Sequence, residues 1–305
     1  MRTAMIGSLE VSVIGLGCNN FGRALDQAGT NEVVAKSLEV GINFFDTASN
    51  YGEAQSEGFL ANALGSHRDE VVIGTKFGLA IPGFEQSGGA RAEYVRAAIE
   101  RSLTQLQTDR IDLFQLHFPD PDTPIAETLG AMNELVEEGK VIEIGCSNLS
   151  AEQMIEAAEA SREIGAARFV SNQIEYSMVN RDVETNGLVD AAASEDFALL
   201  PFYPLASGLL TGKKRPGQPV EGRLNMDRYQ RFLTDENYAV ADRLRTFADR
   251  VGQDMPVVAL AWLLAQPNVP SVTPGATKPE QVVSNAKAAE WIPSEADLAA
   301  LAEML

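Results

Sequence analysis

The 305-residue chain carries 43 acidic against 24 basic side chains, a net charge of −19, and is 45% hydrophobic. That much apolar material builds a sizeable core and excludes a disordered chain, while the acidity disfavours a basic nucleic-acid binder and a protein drawn to anionic membrane. Cys18 and Cys146 form neither a CxxC pair nor a metal-ligand spacing and read as reduced, buried thiols. No stretch reaches the roughly 20 apolar residues of a membrane span, and the first residues lack a secretion signal's apolar region, so the expected location is cytoplasmic.

An apolar run at 13–17 (VIGLG) opens the pattern. Residues 30–41 follow with helical spacing, Thr30 as cap and Gly41 as stop. INFF (42–45) and VVIGT (71–75) are strand-like, and helical periodicity runs over 91–106. IDLFQL (111–116), VIEIG (141–145), RFVSNQ (168–173) and ALLPF (198–202) are further strands, separated by helical patterns at 125–140, 150–165 and 186–197. Residues 205–236 break the rhythm with a polar, Gly- and Pro-containing stretch. Helical patterns at 237–251 and 256–266 precede an eighth strand, PSVTPG (270–275), and 293–305 reads as a capped extra helix.

Eight strand–helix units over this length predict an α/β fold, a (β/α)8 TIM barrel spanning 1–305 as one domain, with a long loop after strand 7 and an extra C-terminal helix. The competing fold is a doubly wound open sheet. Its best support would be GLGCNNFG, but a G-x-G-x-x-G begun at Gly15 places Asn20 at the third glycine position.

Barrel chemistry gathers at the carboxyl ends of the strands. Those ends carry Asp46, Lys76, His117, Ser147 with Asn148, and Gln173, and the loop after the second strand carries Tyr51. Each alone has an ordinary structural reading, as cap, solvated charge or packed ring. Together, Asp, Tyr, Lys and His at successive strand ends suggest proton delivery to a substrate oxygen that gains negative charge. A lysine ammonium lowers a phenol's pKa, a carboxylate holds the lysine, and a histidine orients a carbonyl or shares the proton. The set suits a metal poorly: Asp46, His117 and Asp120 lack a His-rich cluster.

GINFFDTASNYGEAQSE, VVIGTKFG, IDLFQLHFPD, GKVIEIGCSNLS, SNQIEYS, LLPFYPLASGLLTGK and VTPGATKPEQVVSN together resemble the aldo-keto reductase family, in its order and across almost the whole chain. The resemblance implies reduction of an aldehyde or ketone with a nicotinamide cofactor and no metal. Tyr51 would be the general acid, with Lys76, Asp46 and His117 as its partners. It implies that Ser147, Asn148 and Gln173 bind the nicotinamide carboxamide, that Phe202 stacks on the ring, and that Gly17, Cys18 and Asn19 meet the adjoining ribose. Tyr203, Pro204, Leu205, Ser207, Gly208 and Lys213 fall in the pyrophosphate loop, with Lys213-Lys214-Arg215 a basic run in an acidic chain. Gly275, Ala276, Lys278, Gln281 and Asn285 fall at the adenosine end, with glutamine at 281 where arginine is common. Lys278 favours NADPH, with NADH possible. The expected partner is a small carbonyl compound, selected by Asn20, Phe21, Phe84, Phe118 and 205–236. Nothing in the sequence fixes an oligomeric state. The alternatives are a nicotinamide-binding sensor or regulatory subunit on the same barrel, and a metal-dependent barrel hydrolase.

Overall fold

The computed structural model describes residues 1–81, 83–84, 88–213, 215, 217 and 222–305. After a hairpin of β1 (Thr3–Ile6) and β2 (Leu9–Ser12), seven parallel strands pair in chain order: β3 (Leu16–Gly17), β4 (Phe44–Asp46), β5 (Val72–Phe77), β6 (Ile111–Leu116), β7 (Val141–Ser147), β8 (Phe169–Glu175) and β9 (Ala198–Phe202). Every residue of β4 and β6 is buried. A wall covered on both faces has no solvent side to select for alternation, so these strands read as unbroken apolar runs.

The eighth predicted strand closes the wall with a short, sparse set of parallel bonds. Ile14 bridges Val272 and Gly17 bridges Gly275, while on the other side Leu199 N–H donates to Asn268 O at 2.7 Å. Val272 N–H donates to Val13 O and Gly15 N–H to Val272 O, whereas Pro270 and Pro274 lack N–H donors and thin the pairing. The result is a (β/α)8 barrel with one wall position reduced to bridges.

Helices α1 (Gln27–Glu39), α2 (Ser56–Leu64), α3 (Ala92–Leu106), α4 (Ile125–Glu137), α5 (Ala151–Ile164), α6 (Leu188–Ser194), α7 (Asp235–Val251), α8 (Met255–Leu264), α9 (Pro279–Ala286) and α10 (Glu295–Met304) surround the strands. Helix α5 has the reciprocal Ser150/Gln153 cap and ends on left-handed Gly165, as its sequence predicts. Ser294 caps α10, the expected extra helix. The start of α1 differs from expectation. Asp26 Oδ1 accepts from Gly29 N–H at 2.9 Å, so Asp26 is the cap, whereas Thr30 lies buried one turn in, its hydroxyl donating to Asp26 O. Helices α2 and α9 are additions to the sequence reading.

The hairpin is also an addition. Ile6, Leu9 and Val11 pack against Phe44, Leu113, Val170 and Leu200, residues from the amino-proximal parts of four barrel strands. Its turn is fixed on the barrel: Ser8 N–H donates to Glu143 Oε1 at 2.7 Å, and a Cβ on left-handed Gly7 would stand 2.6 Å from the same oxygen. The hairpin thus stoppers the end opposite the strands' carboxyl termini. The stretch after β9 is less loop-like than its composition suggests, with 3-10 turns at Ala206–Thr211, Gly222–Asn225 and Asp227–Phe232 and buried Leu209, Leu210, Tyr229 and Phe232. Lys214 and residues 218–221 lie outside the described residues.

Candidate active site

Asp46 ends β4, Lys76 stands one residue from the end of β5, and His117 follows β6, so three strands deliver these side chains to one mouth. Lys76 is fully buried. Its ammonium donates to Asp46 Oδ1 at 2.8 Å, Asp46 Oδ2 at 2.9 Å and Thr47 O at 2.7 Å. Burial works against its charge, but Asp46 and Tyr51 outweigh burial and move its pKa above the usual lysine value. The ammonium lies 5.1 Å from the Tyr51 ring centroid, and the His117 ring meets the same phenol edge-on at 5.8 Å.

The loop bearing Tyr51 is stitched to β5. Thr47 N–H donates to Gly74 O at 2.8 Å and Ser49 N–H to Lys76 O at 3.0 Å, so the lysine's own backbone anchors the chain two residues before the tyrosine. Gly52 explains why a glycine follows that tyrosine. It has φ +59°, and a Cβ there would fall 2.0 Å from Phe21 O, a backbone atom with little room to retreat. Gly52→Ala is expected to cost roughly 2–4 kcal/mol, the sum of left-handed strain and overpacking, measured by urea unfolding.

Two electrostatic expectations change. Burial raises the Tyr51 phenol above its ordinary value; the pull of Lys76 and the hydrogen bonds from Lys76 and Asn19 only partly offset it. The expected net lowering by Lys76 is thus overturned, because the same dry setting that strengthens the ammonium's field also penalises the phenolate. His117 is pushed down to about 3, first by burial and then by Lys76. Its imidazole is neutral at ordinary pH. Its Nδ1 is buried and unpartnered among the described residues. The sign of the linkage follows: below about pH 6.5 the unfolded imidazole takes a proton that the folded one refuses until about pH 3. Stability is therefore lost as pH falls through that window, by at most about 1.4 kcal/mol per unit from this group. His117→Gln should flatten the slope relative to wild type in unfolding curves taken across it.

Around the mouth, Ser147 Oγ donates to Gln173 O at 2.8 Å, and Asn148 Nδ2 reaches Ser147 Oγ at 2.9 Å and His117 O at 3.0 Å. Gln173 Nε2 and Ser207 Oγ are buried without partners among the described residues. Phe202 is half-buried and edge-on to Tyr203 at 5.1 Å. Tyr203, Ala206, Ser207 and Gly208 all have positive φ, while Pro204 is buried and Leu205 O accepts from Gly208 N–H. Backbone turned in this way forms concavities lined with amides. Lys213 and Lys278 are exposed, and Asn285 is buried on α9. Gln281 folds back, its Oε1 accepting from Thr277 N–H at 2.7 Å. Gly17 and Gly275 pair in the wall's closing seam, and Ala276 O accepts from Asn20 Nδ2 at 3.1 Å.

Cys18 has no exposed surface; its N–H donates to Asp46 O and its carbonyl accepts from Ser56 Oγ. Phe21 is likewise fully buried, whereas Phe118 is 45% exposed and stacks on His117. The sequence reading missed Gln115, which pairs in register with Lys76 and donates to Asp46 Oδ1 at 3.4 Å. A glutamine inside a fully buried apolar strand was its signal.

Fold and mouth together define a parallel barrel that gathers an ammonium–carboxylate pair, a phenol and a neutral imidazole at the carboxyl ends of its strands. The aldo/keto reductase family pattern matches residues 13–305, and the chain belongs to that family of oxidoreductases. It is 33% identical over 294 residues to L-glyceraldehyde 3-phosphate reductase of Escherichia coli (strain K12), covering 92% of this chain and 84% of the relative. It is also 33% identical to aldo-keto reductase YhdN of Bacillus subtilis (strain 168), over 93% of this chain and 86% of that one. The same identity, over 93% and 89%, links it to a protein of Arabidopsis thaliana named probable voltage-gated potassium channel subunit beta.

Proposed function

We propose that the protein reduces an aldehyde or ketone to the alcohol with NADPH, Tyr51 supplying the proton. The observation that carries this is the charged, fully buried Lys76, bound to Asp46 on one side and lying over the Tyr51 ring on the other. A phenol whose burial outweighs that cation stays protonated at neutral pH, which is the form a reduction needs. As the proton leaves for the carbonyl oxygen, the phenolate is stabilised by Lys76, and Asp46 keeps the lysine in place. His117, neutral, hydrogen-bonds the carbonyl and sets its direction. Phe118 shelters the histidine ring from water on one face.

The residues present fit a nicotinamide dinucleotide. The unpartnered Gln173 amide, with Ser147 and Asn148 beside it, would hold a carboxamide, and Phe202 offers a ring face. The Ser207 hydroxyl, unpartnered among the described residues, and the turned backbone at 206–208 would receive pyrophosphate oxygens, with exposed Lys213 six residues along the chain as a further candidate. When bound, the dinucleotide supplies the hydride. Lys278 would add one charge at a 2′-phosphate. Lys278→Ala should cut the preference for NADPH over NADH roughly tenfold, the worth of one charge-assisted hydrogen bond, read from KM for each cofactor. Unchanged selectivity would remove Lys278 from this role.

The test is a screen of aldehydes and ketones, beginning with 4-nitrobenzaldehyde, followed by loss of the reduced-nicotinamide absorbance. The second reading, a nicotinamide-binding regulatory subunit, is favoured by the relative named as a channel subunit. Tight cofactor binding with no turnover across the screen would select it.

A further inference from the structure

We propose that Arg101, on α3 and outside the mouth, is a positioning residue that sets where the Tyr51 phenol stands, acting together with buried Glu57. Its guanidinium is a fork. Nη1 donates to Glu57 Oε2 at 3.0 Å and to Ser49 O at 3.4 Å, and Nη2 donates to Ala54 O at 3.3 Å. Ser49 and Ala54 bracket Tyr51, two residues before it and three after. Glu57 is 1% exposed, and its other oxygen accepts from the hydroxyl of Thr75 at 2.7 Å, the residue next to Lys76. One ion pair therefore ties the segment that carries the phenol to the strand that carries the ammonium.

The segment needs an outside hold. Gly52, Glu53 and Ala54 take φ of +59°, +55° and +68°, three left-handed residues in a row, two of them with side chains that resist this conformation. The fork grips the last of them by its carbonyl. A lysine at 101 could neutralise Glu57, but its single head cannot span two carbonyls and a carboxylate in one plane. The 5.1 Å relation between Lys76 and the Tyr51 ring is thus held from behind the site as well, by groups that touch neither side chain and add to the direct bond from Ser49 N–H to Lys76 O.

The proposal rests on the role given to Tyr51, and its test separates the two. Arg101→Met and Arg101→Lys are examined by amide hydrogen exchange over 47–56, by cofactor titration, and by kcat and KM. In Arg101→Met, exchange over 47–56 should quicken while the barrel strands keep their protection. There kcat should fall about 100-fold, the usual cost of misplacing a reacting group, with KM and cofactor affinity within a factor of about 3. Arg101→Lys should recover part of both. In a Tyr51→Phe background, Arg101→Met should add less than about 3-fold, since the group it places is gone. If Arg101→Met alone fails to fold with Glu57 unpaired, the Glu57→Gln/Arg101→Met pair leaves no buried charge and carries the same readouts. Native protection over 47–56 with near-native kcat, or a full additional loss in the Tyr51→Phe background, would overturn the proposal. Loosened exchange in a protein whose wild type reduces no carbonyl would sustain the clamp and reject the catalytic reading of Tyr51.

Discussion

Tyr51→Phe should lower carbonyl turnover by about a thousandfold, within the range that a positioned general acid contributes. The substitution removes one hydroxyl and its bonds with Lys76 and Asn19, but it keeps the ring that meets His117 edge-on, and the Lys76 ammonium keeps its bonds to Asp46 and Thr47. Cofactor affinity and thermal midpoint should therefore stay near wild type, and the loss should sit in kcat. The phenol's raised pKa sharpens the expectation: at neutral pH essentially every molecule is in the proton-loaded form, so the wild-type rate reflects the whole population. A variant that kept more than a tenth of the activity would remove Tyr51 as the acid.

Lys76→Met should damage stability as well as rate. The methionine fills most of the space, but Asp46, 5% exposed, would lose all its lysine hydrogen bonds and, among the described residues, retain the long contact from Gln115. Leaving one half of a buried ion pair costs about 3–5 kcal/mol, whereas replacing both halves by apolar groups is often neutral. Urea unfolding should show that loss in Lys76→Met and recovery of much of it in Lys76→Met/Asp46→Leu. Activity should be absent from both. This pattern distinguishes a pair kept for chemistry from one kept for folding. A single variant as stable as wild type would show that the carboxylate finds water or another partner.

The mouth was legible because a parallel barrel converts order along the chain into position in space. Apolar runs ending in Asp46, Lys76, His117, Ser147 and Gln173 need no side-chain detail to be placed on one rim. Helix α5 was legible for a local reason, since Ser150 and Gln153 satisfy each other three residues apart. What stayed hidden depends on partners far along the chain. The hairpin is four residues per strand, and its turn is held by Glu143, some 135 positions away. The seam at 270–275 looked like a full strand by composition, yet two of its six residues are prolines without donors, and it pairs through short bridges. Arg101 sat inside a regular helical pattern and Gln115 inside an apolar run, so period alone assigned both to architecture. The sign of the Tyr51 shift was misjudged because the cation is visible in sequence and the extent of burial is not.

The β1–β2 stopper has an architectural consequence. By sealing the floor of the vessel with its own apolar ribbon, the chain separates waterproofing from the rim where polar groups assemble. Segments on the rim can then be lengthened, trimmed or exchanged without letting solvent in from below. One watertight cup can in this way be refitted with many different lips.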